Sequence, residues 1–460
     1  MLGWEFPPHI SGGLGTACHG LTRALNEAGV EVVFVVPTSV PCGQASHVTL
    51  RTAESLAQCA ASGAMSRASL SAAPGHARTE MHRVAAVLQP YGSPQSFQSL
   101  SSRSSVETCR EGRCGEASQL PRGSFCHGPT GQYQGDLLTQ VSKYAAMAAD
   151  LAESEAFDVV HAHDWMTFPA GLAVAGRTGK PLIVHVHSTE FDRSGEHVNQ
   201  QVYDIERAGM HGADRVLCVS HFTRRTVVDR YAVSPDKAGV AHNGVDPPDA
   251  EVLNFTPIKR REKLVVFLGR ITMQKGPEYF LRAAKRVLEK VQDIRFVIAG
   301  DGDLFGRVVE LTAALGIGRH VTFTGFLNAR DVSRVLRMAD LYVMPSVSEP
   351  FGIAPLEALA HDVPVIVSKQ SGVSEVLRHA LKVDFWDIDE MANKMVAVLK
   401  RPALHQALRE NGGIEVRALT WANAARKCMD TYYALVGRLQ RQVSPDASHC
   451  RELLAAAGSC

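Results

Sequence analysis

Two segments in the second half of the chain carry side chains that could hold a diphosphate and a sugar. The first is GRITMQKG, in which Arg270 follows the apolar run LVVFLG and Lys275 precedes a helix expected to begin near Pro277. A guanidinium and an ammonium at one strand end can clamp a diphosphate. The alternative is a pair of solvated surface cations whose alkyl stems lie on the protein.

The second segment is EPFGIAPLEAL, in which Glu349 and Glu357 are eight positions apart. It follows LYVMPS directly, so we expect Glu349 on the loop at a strand end and Glu357 within the next helix. A carboxylate only accepts hydrogen bonds and can take two O–H donors, which suits the hydroxyls of a sugar and a ribose. The alternative for Glu357 is a structural role in the N-terminal turn of its helix.

A paired-glycine motif near the start of the chain could approach a phosphate. It is SGGLG, from Ser11 to Gly15, directly before a helical pattern. Gly12 and Gly13 would let backbone N–H groups come close to an anion at a helix N-terminus. The motif is neither GxGxxG nor a Walker A sequence, so a tight strand-to-helix turn is an equal alternative.

Two His-x-His pairs lie on expected strands, His161 and His163 in VHAHDW and His185 and His187 in VHVHSTE. Residues two apart on a strand face the same side, as in some metal sites. Both strands look buried, however, and no carboxylate ligands are evidently spaced to join them. Histidines of the core or of a cleft edge are therefore favoured, and we predict no bound metal.

A second candidate for metal binding is the segment DGD, which follows the run IRFVIAG. Asp301 and Asp303 could hold a divalent ion on a nucleotide diphosphate. The favoured interpretation is that they form a turn or cap the next helix.

Short apolar strands alternating with helices must position these residues. This alternation predicts α/β architecture with parallel sheets covered on both faces. A helix is expected from Leu14 to Ala28, ended by Gly29 and followed by a strand in GVEVVFVVPTS. In open α/β sheets ligands lie beyond the carboxyl ends of strands, so two such domains would face each other across a cleft. Eight further strands are expected in FDVVHAH, KPLIVHVHS, DRVLCVS, KLVVFLGR, IRFVIAG, HVTFTG, ADLYVMPS and VPVIVS.

The domain boundary is expected within residues 242–263, which are rich in Pro, Gly and charge. A Ser-, Gly- and Gln-rich stretch that contains no lysine predicts a loop-rich, partly disordered insertion. The predicted divisions are an N-terminal domain, 1–247, with the insertion at 41–136; a C-terminal domain, 254–420; a final helix returning to the first domain, 421–440; and a loose tail, 444–460.

The composition excludes several classes of protein. The 460 residues are 45% hydrophobic with a net charge of +1, which favours a packed globular protein without an electrostatic reason to bind nucleic acid. The sequence contains no run of 18 apolar residues, so no transmembrane segment is expected. No signal peptide is evident either. Ten cysteines are too few for a disulfide scaffold of this length, so a reduced, cytoplasmic enzyme is expected.

The order of the motifs is more specific than any one of them. SGGLG, VHVHSTE, GRITMQKG and EPFGIAPLE, in this order, resemble the family 4 (group 1) glycosyltransferases, which include the glycogen synthases. The resemblance covers about 1–40 and 140–435. It implies the GT-B fold, in which two doubly wound Rossmann-like domains face each other across a cleft.

The resemblance also implies which residues bind the donor. Arg270 and Lys275 would neutralise the diphosphate leaving group, and Glu357 would hold the ribose. Gly12 and Gly13 would border the phosphates from the opposite domain.

Around the reacting carbon, the resemblance implies that Glu349 and the backbone amides of Phe351 and Gly352 position the donor sugar. His187 would contact that sugar near the bond that breaks. The family transfers with retention of configuration and typically needs no bound metal, so no cofactor is expected beyond the nucleotide-diphosphate sugar itself.

The expected function is therefore a retaining glycosyltransferase that moves a sugar from a nucleotide-diphosphate sugar to an acceptor hydroxyl, a glucan being one candidate acceptor. The alternative is a nucleotide-sugar-binding protein of the same fold without catalytic turnover. A Rossmann oxidoreductase is disfavoured, because no GxGxxG with an acidic residue about 20 positions later follows any expected strand.

Overall fold

The computed structural model describes residues 1–7, 12–37, 48–52, 79–83, 135–248 and 261–443. Parallel strands alternate with helices in both halves of the described chain, which confirms the predicted α/β architecture. The first half of the chain contributes two groups of strands, in the orders β2-β3-β1 and β4-β5-β6-β7. The strands are β1 (Val32–Val36), β2 (Val48–Thr52), β3 (Thr79–Arg83), β4 (Val160–His163), β5 (Leu182–Val186), β6 (Arg215–Cys218) and β7 (Ala238–Val240).

The N-terminal segment joins these two groups of strands. Leu2 forms parallel bridges to Val35 in β1 and to Ala162 in β4. Its amide donates to the His161 carbonyl at 2.8 Å, and the His163 amide donates to the Leu2 carbonyl at 3.0 Å. The segment therefore occupies the middle of the sheet, and the chain after it leads to the glycine motif at the carboxyl edge.

The helices of the first half cover this sheet. Their bounds are α1 (Gly13–Glu27), α2 (Gly135–Ala152), α3 (Phe168–Thr178), α4 (Glu190–Ser194), α5 (Gln200–Gly212) and α6 (His221–Tyr231). The first of them confirms the expected helix to within one residue at each end. Gly29, just beyond it, has a φ of 86°, a left-handed conformation that favours glycine.

The sequence predicted a loop-rich, partly disordered insertion at 41–136, and within it the structure has two strands, β2 and β3, that the sequence did not single out. Both pair in parallel register with one another, and β3 also pairs with β1. Their sequences, VTLRT and TEMHR, alternate partly apolar and polar residues over only five positions. Such short alternation is easily hidden by the Ser- and Gly-rich residues around it. The rest of the predicted insertion, 53–78 and 84–134, lies outside the described residues, as does the tail at 444–460.

The second half forms a six-stranded parallel sheet in the order β10-β9-β8-β11-β12-β13. Counted from its first strand, the order is 3-2-1-4-5-6, which reverses direction between β8 and β11. A crevice for a ligand is expected at that reversal, beyond the carboxyl ends of these two strands. The strands are β8 (Lys263–Leu268), β9 (Ile294–Ala299), β10 (Val321–Gly325), β11 (Leu341–Met344), β12 (Val365–Ser368) and β13 (Leu381–Val383).

Helices cover both faces of the second sheet, and the first of them begins at Pro277 as predicted. They are α7 (Pro277–Leu288), α8 (Phe305–Ala314), α9 (Ala329–Met338), α10 (Ile353–Ala360), α11 (Val373–Val376), α12 (Ile388–Lys400) and α13 (Pro402–Val416). The eight strands expected in the motif-bearing part of the chain are all present, whereas β7 and β13, of three residues each, were not predicted.

A long final helix, α14 (Trp421–Val443), follows the second half in sequence but packs against α1 of the first half. Trp421 is buried in one apolar cluster with Leu21 and Leu25 of α1 and with Phe34 of β1. A Cβ atom on Gly20 would lie 2.3 Å from the Trp421 ring, so a glycine is needed where the two helices cross. This contact ties the end of the described chain to its beginning.

Candidate functional site

The loops that follow β8 and β11 meet at the reversal of strand order. Lys275 ends a short 3₁₀ helix, Met273–Lys275, and its Nζ lies 2.5 Å from Oε2 of Glu349. The Val347 amide donates to the Gln274 carbonyl at 2.9 Å, which fixes one loop against the other. The predicted cation and the predicted carboxylate are therefore in direct contact.

Close packing under this ion pair depends on Gly276, whose φ is 67°. A Cβ atom there would lie 2.2 Å from the Pro345 carbonyl oxygen. The 3₁₀ turn can thus approach the backbone that leaves β11, and it presents Lys275 to the cleft at the start of α7.

Glu349 is held from several sides and is 7% exposed. The Ser346 hydroxyl donates to Oε2 at 3.3 Å. The Glu349 amide donates to the Gln370 carbonyl, and its carbonyl accepts from the Gly372 amide, both at 2.9 Å. These bonds join its loop to the segment after β12, so the carboxylate has a fixed position before any ligand arrives.

Glu357 lies in α10, near the same strand ends. Burial, followed by the negative charge of the neighbouring Asp246, raises the pKa of its carboxyl to about 7. Tyr342 on β11 is buried, and burial followed by the negative charges of Glu349 and Glu357 raises the pKa of its phenol well above the usual range. Both carboxylates therefore lie close enough to this one phenol to disfavour its ionisation.

Arg270 is half-buried at the end of β8, where its charge acts on Asp303. Burial raises the pKa of the Asp303 carboxyl, and Arg270 opposes that rise. Asp301 accepts a hydrogen bond from the Gly302 amide at 2.8 Å and so stabilises the turn. The residue that precedes helix α8 is Leu304, and no side chain caps that helix. Of the two structural roles expected for the DGD segment, the turn is therefore observed and the helix cap is not.

The donor-sugar loop predicted from sequence ends at Gly352, which precedes α10 with a φ of 103°. Phe351 is 2% exposed and fills the space beneath the loop. A Cβ atom on Gly352 would lie 3.2 Å from Cγ of Glu349. The first N–H groups of α10, which have no partner within the helix, therefore begin beside Glu349.

The glycine motif lies in the first half, where Gly12 precedes α1 in an extended conformation and Gly13 is exposed at its first turn. Ser11 lies outside the described residues. A Cβ atom on Gly12 would lie 3.7 Å from Oε2 of Glu5. Among the described residues no side chain caps the N-terminus of α1, so its first amides are suited to an anion.

His187 follows β5, and a residue that the sequence did not single out holds its backbone. Asp164 accepts hydrogen bonds from the His187 amide at 2.6 Å and from the Ser188 amide at 3.1 Å. Asp164 has a φ of 61°, and burial raises the pKa of its carboxyl to about 7. The signal that could have identified it is an acidic residue directly after the strand VHAH.

The four histidines of the two His-x-His pairs form a stack across β4 and β5. The rings of His161 and His163 are 4.4 Å apart at 21°, and those of His161 and His185 are 5.3 Å apart at 11°. His163 Nδ1 lies 3.0 Å from His187 Nε2. Burial lowers the pKa of His185 to about 3 and those of the other three well below the usual range, so the stack is neutral.

One contact between the two halves lies beside the site and was also missed. Ser348, next to Glu349, donates from its hydroxyl to Oδ1 of Asp192 at 2.6 Å. Asp192 lies in α4, five residues after His187, where its other oxygen accepts from the amide and hydroxyl of Thr189, both at 2.8 Å. The loop that carries His187 is thereby connected to the loop that carries Glu349.

A surface cavity of ≈ 690 Å³ lies elsewhere, at the amino ends of the strands of the second sheet. Lys263, Asp340 and Arg409 are among its lining residues, and none of the predicted site residues borders it. The reversal of strand order, not this cavity, is where Lys275 and Glu349 meet.

Comparison with known families identifies the protein class. Three sequence families match successive parts of the chain: starch synthase catalytic domain over 1–101, glycosyltransferase family 4 over 118–248, and glycosyl transferases group 1 over 250–413. An uncharacterized glycosyltransferase of Methanocaldococcus jannaschii is 31% identical over 294 residues, which are 60% of this chain and 75% of that protein. The chain belongs to the family 4, group 1 glycosyltransferases.

Solved structures agree with the two-domain fold. Sucrose-phosphate synthase from Thermosynechococcus elongatus superposes with a TM-score of 0.64 at 20% identity, covering 94% of each chain. HepE from Anabaena, solved in complex with UDP and glucose, gives a TM-score of 0.63 at 15% identity over 94% of this glycosyltransferase and 98% of HepE. The fold is GT-B, as the sequence predicted, and the protein is an enzyme that transfers a sugar.

The described helices of the glycosyltransferase also bear on its relation to membranes. None of them combines the length with the apolar character that crossing a bilayer demands.

Proposed function

We propose that this glycosyltransferase moves a sugar from a nucleotide-diphosphate donor to an acceptor hydroxyl with retention of configuration. The observation that carries the proposal is the contact between Lys275 and Glu349, at 2.5 Å, where the strand order of the second sheet reverses. A cation and a carboxylate beyond adjacent strand ends are suited to hold the phosphate and the sugar of one donor.

The leaving group accounts for the cations. As the bond between sugar and diphosphate breaks, negative charge grows on the bridging oxygen. Fixed positive charges at that point stabilise the transition state more than the ground state. Arg270 and Lys275 would provide them from the second half, and the N-terminus of α1 at Gly12 and Gly13 would face the phosphates from the first half.

The carboxylates account for binding of the hydroxyls. Glu357 would accept from the ribose, while Glu349 and the amides of Phe351 and Gly352 would position the donor sugar. Glu349 is suited to this role because its loop is fixed by backbone hydrogen bonds to Gln370 and Gly372. Less reorganisation is then needed when the sugar binds.

His187 would contact the donor sugar from the other half, near the reacting carbon. Since burial lowers its pKa, the imidazole is neutral and can donate or accept a hydrogen bond without adding charge there. In this proposal catalysis uses no metal or further cofactor, because Arg270 and Lys275 replace a divalent ion at the diphosphate. Contact between the halves would also keep water from an oxocarbenium-like centre.

The acceptor is proposed to be a carbohydrate, with a glucan as the candidate to test first. Support comes from the starch synthase catalytic domain, whose family matches residues 1–101 of the acceptor-side half. Retention is checked by proton NMR of the newly formed anomeric bond, since an inverted configuration would contradict this part of the proposal alone.

The decisive experiment replaces Lys275 by alanine and measures transfer from UDP-, ADP- and GDP-sugars. We expect kcat/KM to fall by about 10²–10³, as when a group that stabilises transition-state charge is removed. Lys290→Ala is the matched control, because this lysine is exposed and, among the described residues, its side chain hydrogen-bonds only to Asn393. Near-normal transfer by Lys275→Ala would contradict the proposal, and donor binding without transfer by the wild-type protein would favour a binding role.

A further inference from the structure

A second group of histidines lies at the junction of the two halves, away from the buried stack. His221 begins α6, His242 follows β7, and Glu375 lies in α11 of the second half. One ligand atom from each of the three lies within 4.8 Å of the others. The His242 and Glu375 side chains are 31% and 23% exposed, so solvent and ions can reach them.

Ring geometry distinguishes this group from the buried stack. A nitrogen lone pair lies in the plane of its imidazole, so the lone pairs of nearly parallel rings lie in nearly parallel planes. The rings of His161 and His185 are only 11° from parallel, whereas those of His221 and His242 are 59° apart with centroids at 5.8 Å. The buried histidines His161, His163 and His185 also bring ring nitrogens within 4.8 Å of one another. The inclined rings of His221 and His242 are nevertheless better suited to direct two lone pairs at one ion.

The carboxylate completes a set of ligands with suitable charge. Its Oε1 lies 2.7 Å from Nε2 of His242 and from the amide nitrogen of His221. Partial burial raises the pKa of Glu375, but the hydrogen bonds from His242 and from the His221 amide outweigh burial and lower it. The carboxylate is therefore ionised and keeps lone-pair capacity for a cation.

We propose that His221, His242 and Glu375 form a binding site for a borderline divalent transition metal ion such as Zn²⁺. Two imidazoles and one carboxylate are ligands that zinc accepts, with water in the fourth position. At bond lengths of about 2.0–2.2 Å, tetrahedral ligand atoms lie about 3.4 Å apart. The ion would thus take the place of the proton between His242 and Glu375, with side-chain shifts of less than about 1 Å.

The ion would join the two halves, because two ligands come from the first half and one from the second. The site lies beside the proposed donor-sugar loop, since the His242 and Phe351 rings are 6.0 Å apart. A metal bridge there would hold the halves together and slow the opening that product release requires. The site would regulate turnover and contribute no group to the reaction.

The test is calorimetric titration of the untagged full-length protein with Zn²⁺. We expect one ion to bind per chain, with an affinity reduced about tenfold or more in His221→Ala and in His242→Ala. His197→Ala is the control, because His197 is another exposed histidine of the first half and should leave binding unchanged. Unchanged secondary structure and melting temperature without metal would show that the variants fold.

A second readout links the site to the movement of the halves. Zn²⁺ is expected to lower kcat of the wild-type enzyme, and His221→Ala should relieve this inhibition. If the wild-type protein binds no Zn²⁺, or if both histidine variants bind it as tightly as the wild type, the proposed site is wrong. The titration is independent of which sugar is transferred, so it can fail without affecting the proposed function.

Discussion

At the scale of single residues, Glu357 is the clearest case of a side chain whose environment sets its chemistry. Its pKa of about 7 means that half of the carboxyl groups are protonated at neutral pH, because burial and Asp246 disfavour the charge. A protonated carboxyl can no longer accept two hydroxyl donors, so a donor that uses the ribose diol should bind the ionised form.

Donor affinity is therefore expected to rise with pH. If only the ionised form binds, the dissociation constant at pH 6 should be about tenfold higher than at pH 8. Isothermal titration of the preferred nucleotide-sugar across this range measures the effect. Glu357→Gln should bind weakly and lose most of the pH dependence, and an unchanged slope in that variant would assign the titration to another group.

The raised pKa of Glu357 also makes folding stability depend on pH, and in the opposite direction to donor binding. Because the carboxyl pKa is higher in the folded protein than the ordinary 4.5, the folded state holds its proton more tightly. Stability linked to Glu357 is present below about pH 4.5 and is lost as the pH rises toward 7. A rise in pH is thus expected to strengthen donor binding and to lower the free energy of unfolding through the same carboxyl.

Sequence could predict site residues that follow strands directly, but not the residues that hold them. Lys275 and Glu349 were identifiable because strand ends in a parallel sheet gather at one edge. Asp164 follows β4 directly, but its role was not identifiable, since its partner, the His187 amide, is distant in sequence. The same holds for Asp192 and its partner, the Ser348 hydroxyl. Nothing in local periodicity records such a contact, and the one between Asp192 and Ser348 depends on how the two halves meet.

At the scale of elements, the packing of α14 on the first half depends on two glycines, Gly20 under the Trp421 ring and Gly244 against the backbone at the start of α14. A Cβ atom on Gly244 would lie 2.2 Å from the Trp421 nitrogen and 2.3 Å from the Thr420 carbonyl carbon. These are backbone atoms, which cannot rotate away as a side chain can. The Val245 amide also donates to the Leu419 carbonyl at 3.0 Å, so the connection between the halves and the start of α14 are fixed together.

Replacing Gly244 by alanine should consequently destabilise the protein by about 1–3 kcal/mol. The melting temperature in scanning calorimetry is expected to fall by several degrees, at about 2–4 °C per kcal/mol for domains of this size. Gly176→Ala, in α3, is the control because a Cβ atom there meets nothing within 4 Å. The control should be neutral or stabilising, and a Gly244 variant that melts with it would contradict the packing argument.

Elements were predictable where they are long or continuously apolar. The strands β8 and β9 have six residues each and are mostly buried, whereas β2 and β3 are five-residue strands within a polar stretch. The topology follows from rules on parallel sheets, but the bridge of Leu2 to β1 and β4 had to be observed.

At the scale of the whole molecule, the halves meet through polar contacts that surround the proposed donor-sugar loop. The Pro350 carbonyl accepts from the hydroxyls of Ser220 and Thr223, at 2.5 and 3.2 Å. Ser348 reaches Asp192 two residues earlier in the same loop. Because Glu349 lies between them, any change in how the halves approach one another displaces the carboxylate that would position the sugar.

The bond between Ser348 and Asp192 should therefore affect catalysis more than stability. Asp192 is 5% exposed, and burial raises its pKa while the Ser348 hydroxyl opposes that rise. Ser348→Ala is expected to lower kcat/KM about tenfold or more, given about 1.5–3 kcal/mol for a hydrogen bond to a charged group. Ser142→Ala, which removes an exposed hydroxyl on α2, should have no effect.

A double-mutant cycle with Asp192→Asn decides whether the effect comes from this bond. A coupling energy of about 1–3 kcal/mol in kcat/KM is expected, with a smaller one in the free energy of unfolding, because each half has its own apolar core. If the two substitutions are additive in catalysis, the contact does not connect the halves during the reaction. Their coupling would show that the loops of His187 and Glu349 act as one unit only when the domains meet.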